Sequence, residues 1–430
     1  MKNPNNTLIR NNFSRYFYLF IILALVLAFS GCKSKSNKDS SVSDLQNIDE
    51  ASLTPTKAPL SSETDQITQS PSASNVTPKI TITPTPAATS VNLLAVGDNL
   101  IHIQVVDSGK QKDGSYQYDH LYSNLKKDIS AADIAVINQE TILGGDEFPY
   151  SGYPRFNSPI EIGDAVIDAG FDVVLQATNH TMDMGYEGVK NTQKYWSKHP
   201  EITVLGINKT KKDQNRIKIV EKNGIKIAML NYTYSLNGYS LPKDKPYLVN
   251  LINKNKMAAD IKKAEKEADF TIVFPHWGTE YAYNISSMQT DLTNFFYERG
   301  VDLVIGTHPH VLEPVKWYPN DKDRRMLVYY SLGNFMSYQR EAPRMLGGMA
   351  KVTLTKDASG TYISKASITP IVTHYENGPS DYNYAIYKLE DYNETLAKRH
   401  GVSQLAVNGP ITYNDTCKLA KDILDSWYQP

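Results

Sequence analysis

The stretch Val304-Ile305-Gly306-Thr307-His308-Pro309-His310 decides the fold. The apolar run Val301–Ile305 predicts a buried strand. His308 and His310 follow it, and the proline between them has a fixed φ. Open α/β sheets bind ligands at the carboxyl ends of their strands, where this strand delivers its two imidazoles. Imidazole is the commonest protein ligand of metal ions, so the pair is a candidate metal site, although histidines are also common in turns.

The N-terminus resembles a bacterial lipoprotein signal. Basic residues precede an apolar run at 17–29, which has the length of a signal-peptide core and is short for a bilayer span. The small residues before Cys32 resemble a lipobox. We therefore expect a signal peptide over 1–32 and a lipid anchor on Cys32, which holds the protein on the extracellular face of the cytoplasmic membrane, in the cell envelope. An uncleaved membrane anchor is the alternative.

Composition sets the domain boundaries that we expect. Residues 33–90 are rich in Ser, Thr and Pro and cannot bury a core, which predicts a disordered linker. A net charge of −1 gives no basic field for nucleic acid. The two cysteines of the chain exclude a disulfide framework.

The remaining chain alternates strand and helix patterns and ends with an antiparallel pattern and helices. This order predicts an α/β sandwich of mixed β-sheets flanked by helices. We expect one domain over 91–345, with strands and helices over 346–430 that complete the fold.

Residues of the metal-ligand type end several predicted strands. Asp98 follows the first strand, Glu140 the second, Asn179 the third and His276 a later one. Carboxylate, amide and imidazole ligands suit divalent ions. Each residue alone also has a simpler interpretation. Asp98 would fit a turn or helix cap, Glu140 an exposed loop, and His276 a buried hydrogen-bonded position.

Residues beside these ligands are candidates for chemistry and substrate contact. His180 adjoins Asn179 and is placed to donate a proton. Asp183 either orients His180 or caps the helix that begins near Tyr186, and we favour capping. The candidates for substrate contact are His102, Arg155, Glu280 and Asn334.

The order of the strand-end residues resembles the binuclear metallophosphoesterase (calcineurin-like) superfamily. A narrower set of motifs resembles the CapA/PgsA family of poly-γ-glutamate capsule biosynthesis proteins. These motifs are Ala95-Val96-Gly97-Asp98, Asn138-Gln139-Glu140, Ala177-Thr178-Asn179-His180-Thr181-Met182-Asp183, Pro275-His276-Trp277-Gly278-Thr279-Glu280-Tyr281, Gly306-Thr307-His308-Pro309-His310 and Ser331-Leu332-Gly333-Asn334-Phe335. Leu100 departs from the superfamily, which has a histidine two positions after the first aspartate.

The resemblance implies a calcineurin-like sandwich that binds one or two divalent ions, manganese, iron or zinc. The ligands that it implies are Asp98, Glu140, Asn179, His276, His308 and His310. It also implies a surface protein that takes part in making or exporting poly-γ-glutamate or another anionic surface polymer, beside membrane-bound capsule synthetase subunits.

Three hypotheses for function follow. In the first, the protein is a metal-dependent hydrolase of a phosphoester or a γ-glutamyl bond, with His180 and Asp183 as catalytic residues. In the second, it is a non-catalytic, lipid-tethered accessory protein that guides polymer export, which the departure at Leu100 favours. The third, a solute-binding lipoprotein, shares the tether but does not explain the ligand set.

Overall fold

Two mixed β-sheets form the frame of the protein in the computed structural model, which describes residues 87–319, 324–377, 382–405 and 409–429. The predicted signal peptide, the lipobox cysteine Cys32 and the linker up to residue 86 lie outside the described residues. Within the described ranges, no helix is long and apolar enough to cross a membrane.

The strands follow one another in chain order. They are β1 (Thr89–Asn99), β2 (Ile134–Asn138), β3 (Val173–Leu175), β4 (Thr203–Leu205), β5 (Lys218–Lys222), β6 (Ile225–Thr233), β7 (Phe270–His276), β8 (Leu303–Ile305), β9 (Val315–Tyr318), β10 (Met326–Tyr329), β11 (Asn334–Met336), β12 (Leu346–Asp357), β13 (Gly360–Asn377) and β14 (Tyr382–Lys388).

Helices connect and cover these strands. They are α1 (Ile103–Ser108), α2 (Lys126–Ser130), α3 (Glu161–Ala169), α4 (Gly185–Trp196), α5 (Lys211–Gln214), α6 (Lys254–Glu267), α7 (Ser287–Tyr297), α8 (Glu394–Arg399), α9 (Gly401–Leu405) and α10 (Tyr413–Leu424). Single 3-10 turns lie at Asp119–Leu121, Ala342–Met345, Leu389–Asp391 and Asp425–Trp427.

Each sheet combines parallel and antiparallel pairs. The first sheet has the order β14-β13-β12-β1-β2-β3-β4, and β11 pairs with the end of β1. Strands β1 to β4 run parallel, whereas β12 to β14 are antiparallel. The second sheet, β5-β6-β7-β8-β10-β9, has a parallel centre and antiparallel edges. The predicted architecture, a mixed α/β sandwich, is confirmed.

Strand β6 shows how the sequence builds the layers. Ile227 and Met229 belong to the large core that also contains Val136 of the first sheet. Ala228 and Leu230 alternate with them and belong to a second core, with side chains of α6 and α7. Successive side chains of a strand point to opposite faces, so an apolar run buries both faces of this sheet. Each fully buried aliphatic side chain stabilises the fold by about 1.5–3 kcal/mol.

Two glycines let the loops close at the carboxyl ends of the parallel strands. A Cβ on Gly97 would lie 1.9 Å from the carbonyl oxygen of Gly333, and one on Gly306 would lie 2.0 Å from that of Tyr330. The backbone N–H of Asp98 donates to the same Gly333 oxygen at 2.9 Å. These close approaches draw the loops after β1, β8 and β10 together at one edge.

Two local sequence patterns have different outcomes in the structure. The strand patterns at 216–220 and 225–232 predict a hairpin around Asn223-Gly224, which is confirmed, since both residues have the positive φ, 51° and 76°, of a tight two-residue turn. The pattern over 118–130 predicts a helical stretch, which is wrong as one element, because a 3-10 turn and α2 occupy it separately. Tyr118 and Tyr122 there are buried and hydrogen-bonded to Val106 and Asn99, and these tertiary contacts outweigh the local periodicity.

Candidate metal centre

Glu140, His308 and His310 form a buried cluster at the edge where the loops meet. Their ligand atoms all lie within 4.8 Å of one another. Both carboxylate oxygens of Glu140 and Nδ1 of His308 are buried and have no hydrogen-bond partner among the described residues. Buried polar atoms in folded proteins nearly always have partners. The carboxylate and imidazole groups therefore fit a divalent cation, for which this mixture of oxygen and nitrogen is a suitable ligand set.

Two pairs of side chains flank Glu140. On one side, Nδ1 of His310 lies 3.1 Å from Oδ2 of Asp98, and its Nε2 lies 3.6 Å from Oε1 of Glu140. On the other, Nε2 of His276 lies 3.0 Å from Oδ1 of Asn179 and 3.6 Å from the same Glu140 oxygen. The structure thus brings the strand-end residues to one place, with Glu140 between the two pairs.

The backbone after β8 is strained to present its histidines. His308 has φ 102° and His310 has φ 57°, a region that residues other than glycine rarely adopt. The N–H of His308 donates to both carboxylate oxygens of Asp98, at 3.2 Å each. Such conformations cost about 1–3 kcal/mol each and persist only where the surroundings enforce them. The strain places the His308 ring 4.8 Å from that of His276 and 5.8 Å from that of His310.

Burial and mutual charge set the protonation of the cluster. Burial, with added repulsion from Asp98, raises the pKa of Glu140 well above its usual range. Burial and neighbouring histidines lower the pKa of His276 and His308 well below 6.5, which favours the neutral form that binds metals. Burial also acts to lower the pKa of His310, but the carboxylates of Glu140 and Asp98 outweigh it and raise the pKa to about 9.

His180 and Asp183 form a hydrogen-bonded pair beside this cluster. Nδ1 of His180 lies 2.8 Å from Oδ2 of Asp183, which also accepts the backbone N–H of Phe156 at 2.7 Å. Met184 occupies the N-cap position of helix α4, and within the described residues no side chain forms a capping hydrogen bond there. The favoured interpretation of Asp183 as a helix cap is therefore wrong, because its carboxylate is buried and faces His180. The contact orients the imidazole ring of His180 through its Nδ1.

His102 and Arg155, two of the predicted substrate contacts, lie near the His180–Asp183 pair. Nδ1 of His102 accepts the N–H of Tyr338 at 3.2 Å, and its ring packs edge-on against Phe156 at 5.2 Å. Burial lowers the pKa of His102 to about 4. The guanidinium of Arg155 donates twice to the carbonyl oxygen of Asp183, at 2.9 and 3.0 Å. A substrate contact by either residue stays a prediction.

Glu280 and Asn334 take different positions around the cluster. Glu280 is exposed, and its charge acts on Glu140 and His310. Asn334 is fully buried, and its Oδ1 lies 3.1 Å from Nδ1 of His310. Its amide group donates to the carbonyl oxygens of His310 and Arg344. Asn334 therefore positions His310 in this structure, and its predicted contact with substrate stays untested.

The chain matches one known protein family over more than half of its length. The sequence profile described as bacterial capsule synthesis protein PGA_cap matches residues 92–339. The chain belongs to this family. The PGA biosynthesis protein CapA of Bacillus subtilis (strain 168) is 28% identical over 249 residues, which cover 57% of this chain and 62% of the relative. The capsule biosynthesis protein CapA of Bacillus anthracis is 28% identical over 262 residues, 57% of this chain and 59% of that protein. The match thus spans less than two thirds of either relative.

Solved structures show distant likeness to this PGA_cap family member. The calcineurin-like phosphoesterase YfkN from Bacillus subtilis has a TM-score of 0.41 and 15% identity, over 77% of this chain and 98% of the other. A phosphatase from Mycoplasma pneumoniae has a TM-score of 0.42 and 15% identity, over 66% of this chain and 95% of the other. Similarity at this level says nothing of the chemistry of this chain.

Sequence patterns did not single out three further residues that lie beside the candidate metal centre. The amide of Asn138 donates to Oδ1 of Asp98 at 2.8 Å, and Oγ1 of Thr307 lies 3.0 Å from Nδ1 of His276. Both stand inside strand-end motifs, and that position is a signal that would have found them. The ring of Tyr234 lies 4.6 Å from that of His308. It comes from a stretch without regular periodicity, which gave no such signal.

Proposed function

We propose that the chain is a lipid-anchored, cell-surface protein of capsule formation with a divalent-metal hydrolase centre. Family membership supports the capsule role. The observation that supports the metal-hydrolase centre is the carboxylate of Glu140, because both of its oxygens are buried and lack hydrogen-bond partners in the described part of the chain. The substrate class would be poly-γ-glutamate or another anionic surface polymer, or a phosphoester formed with it, and the partners would be membrane-bound synthetase subunits.

The flanking pairs define which side chains would hold the ions. Asp98 and His310 would hold one ion, and Asn179, His276 and His308 a second, with Glu140 shared between them. Manganese, iron and zinc all accept this mixture of ligands. When bound, the ions would offset negative charge on the substrate and supply a water-derived nucleophile near neutral pH.

Proton transfer would fall to His180. Asp183 fixes the imidazole through its Nδ1 and stabilises the protonated ring, so that Nε2 can give a proton to the leaving oxygen or nitrogen. Phe156 packs edge-on against the His180 ring at 4.6 Å and helps to hold its plane. His180 itself is almost fully buried, which limits exchange of its proton with bulk water.

A non-catalytic role in polymer export is the second candidate, and Leu100 favours it. Leu100 is 3% exposed, and its aliphatic side chain provides no ligand to the Asp98 side of the centre. A protein that only guides a polymer would tolerate a weakly bound or single ion. Such a protein would also tolerate loss of the His180 proton donor.

Hydrolysis with a matched pair of variants tests the proposal. Wild-type protein should hydrolyse bis(4-nitrophenyl) phosphate or a γ-linked glutamate oligomer, and a chelator should abolish the rate until manganese, iron or zinc is restored. Glu140→Gln should lose both metal and rate, because it removes the shared carboxylate. Glu313→Gln is the control, since Glu313 is also fully buried and burial raises its pKa to about 8. A metal-loaded wild type that cleaves neither probe would favour the export role.

A further inference from the structure

Arg344 contacts Tyr281, and the ring of Tyr281 lies beside His310 of the candidate metal centre. Its guanidinium carbon is 3.4 Å from the centroid of the Tyr281 ring, and that centroid lies 6.0 Å from the ring of His310. The backbone oxygen of Arg344 accepts the Asn334 amide at 2.9 Å, and Asn334 in turn contacts His310. Two independent contacts therefore tie the position of Arg344 to a residue of the centre.

Tyr281 is held in place by a strained backbone. Its φ is 64°, in the left-handed region that bulky residues seldom adopt. Its N–H donates to the carbonyl oxygen of Pro309 at 2.8 Å, within the loop that carries His308 and His310. The ring on which Arg344 stacks is thus fixed by the same loop that presents the histidines.

The donors of Arg344 are only partly used. One terminal nitrogen lies 2.8 Å from a carboxylate oxygen of Glu341, and the side chain is 19% exposed. Its Nε is buried and has no hydrogen-bond partner within the ranges that the structure describes. An arginine offers five N–H donors in a planar fork that matches a carboxylate. Stacking and the ion pair fix the plane of this fork, and the exposed part of the side chain remains accessible to a ligand.

We propose that Arg344 binds an anionic group of the substrate, a carboxylate next to the reacting bond. This inference rests on the proposed function and names the substrate class of that site, an acidic polymer whose units each carry a carboxylate. Charge-assisted pairing to a planar guanidinium would select such units over neutral ones. Arg344 lies beyond residues 92–339, so the family match does not assign it a role.

Binding of a defined oligomer tests the assignment directly. A γ-linked octaglutamate is titrated calorimetrically into full-length, metal-loaded protein. Arg344→Gln should weaken its binding roughly ten- to a hundredfold, the loss expected for a hydrogen-bonded charge. Arg344→Lys should recover part of the affinity, because it keeps the charge without the fork. Metal content and circular dichroism of each variant show that centre and fold are intact.

Arg299 provides the matched control. Its guanidinium also stacks on an aromatic ring, 3.7 Å from Phe295, and it pairs with Glu298 at 3.6 Å. It follows α7, a helix that packs on the second core rather than on the metal centre. Arg299→Gln should therefore leave octaglutamate binding unchanged. An equal loss in Arg299→Gln and Arg344→Gln would overturn the assignment.

Glu341→Gln separates a binding role from a structural one. If Arg344 binds substrate, removal of the neighbouring negative charge should tighten octaglutamate binding about two- to fivefold, the range of a partly exposed ion pair. If Arg344 only braces Tyr281, loss of its ion pair would weaken or not change that affinity. The second result would contradict the proposal.

A phosphate group would present the same oxyanion chemistry, so inorganic phosphate is titrated in parallel, together with a γ-linked octamer whose α-carboxylates are replaced by carboxamides. We expect Arg344→Gln to weaken octaglutamate binding selectively. Loss of phosphate affinity with unchanged octaglutamate affinity would overturn the carboxylate assignment, as would wild-type protein that does not bind octaglutamate. Metal content and hydrolysis are measured on the same samples, so failure of the metal centre is seen separately from failure of this subsite.

Discussion

Two groups of buried histidines differ in how their ring nitrogens are used. In the candidate metal centre, Nδ1 of His308 and both carboxylate oxygens of Glu140 have no hydrogen-bond partner among the residues described here. The second group, His374 and His400, lies between β13 and the C-terminal helices, with ring centroids 4.9 Å apart. Both nitrogens of each ring in this group have a partner.

The partners of the second group come from its own surroundings. His374 lies 2.9 Å from the hydroxyl of Tyr392 and 3.1 Å from the carboxylate of Glu376. His400 lies 2.9 Å from the carbonyl oxygen of Thr373, and its other nitrogen accepts a backbone N–H at 3.0 Å. Burial alone therefore does not mark a binding site in this protein. The candidate metal centre differs because Glu140 and His308, which have unpaired ligand atoms among the described residues, lie together with His310, and ligand atoms of the three residues are within 4.8 Å of one another.

The largest effect should come from His180. Replacement by Gln should lower the rate of bis(4-nitrophenyl) phosphate hydrolysis about 10²–10⁴-fold, because the proton donor is lost. Metal content should not change, since His180 contacts Asp183 rather than the cluster. Steady-state kinetics and metal analysis measure both. His374→Gln is the control, and an equal fall in its rate would remove the distinction between the two groups.

The next effect is on stability and belongs to His400. His400→Ala should lower the free energy of unfolding by about 2–4 kcal/mol, because it removes a fully buried ring and both of its hydrogen bonds. Urea denaturation measures this change. Metal bound per folded chain should remain at the wild-type value. Loss of metal in this variant would mean that the two groups are coupled.

A pH dependence of stability should also arise from His400. Burial, together with the charge of His374, lowers its pKa from 6.5 to about 3, while Thr373 and Glu376 act in the opposite direction. In the unfolded chain this histidine takes up a proton near pH 6.5, whereas in the folded chain it does so only at a much lower pH. The free energy of unfolding is therefore largest above pH 6.5 and falls by about 2 kcal/mol between pH 7 and 5. His400→Gln should reduce this slope in urea titrations, and an unchanged slope would contradict the assignment.

The smallest effect should come from Arg399. Its guanidinium contacts Glu376 at 2.6 Å, but the side chain is 57% exposed, so solvent screens the pair. Arg399→Gln should cost no more than about 1 kcal/mol of stability. Urea denaturation in low and high salt would measure it. A loss as large as that of His400→Ala would mean that the second group depends on this ion pair.

Local patterns predicted most of the frame. Alternation of apolar runs and helical periods identified the long strands, and chain order placed ligand-type residues at their ends. Strands β9, β11 and β14 escaped prediction. Strand β11, for example, pairs with β1 through Asp98 and Asn334, which lie far apart in the sequence. A three-residue strand is recognisable in the sequence where it lies within a longer apolar run, as β8 does within Val301–Ile305, and β11 has no such run.

The site was predictable where motifs are local and not where distant segments meet. The spacing of His180 and Asp183 fits both a helix cap and a hydrogen-bonded pair. The hydrogen-bonded pair forms because the N–H of Phe156, from another loop, also donates to the Asp183 carboxylate and holds it beside His180. The stacking of Arg344 on Tyr281 depends in the same way on two segments that fold together at the centre.

Metal content tests the central claim most directly. Full-length protein, purified without chelators, is compared with the Asn179→Ala/His308→Ala double variant by elemental analysis. We predict close to two divalent ions per chain in the wild type and their loss in the folded double variant. A single ion would mean that the departure at Leu100 leaves the Asp98 side without metal. No metal in either folded protein would contradict the account and leave the polymer-handling role.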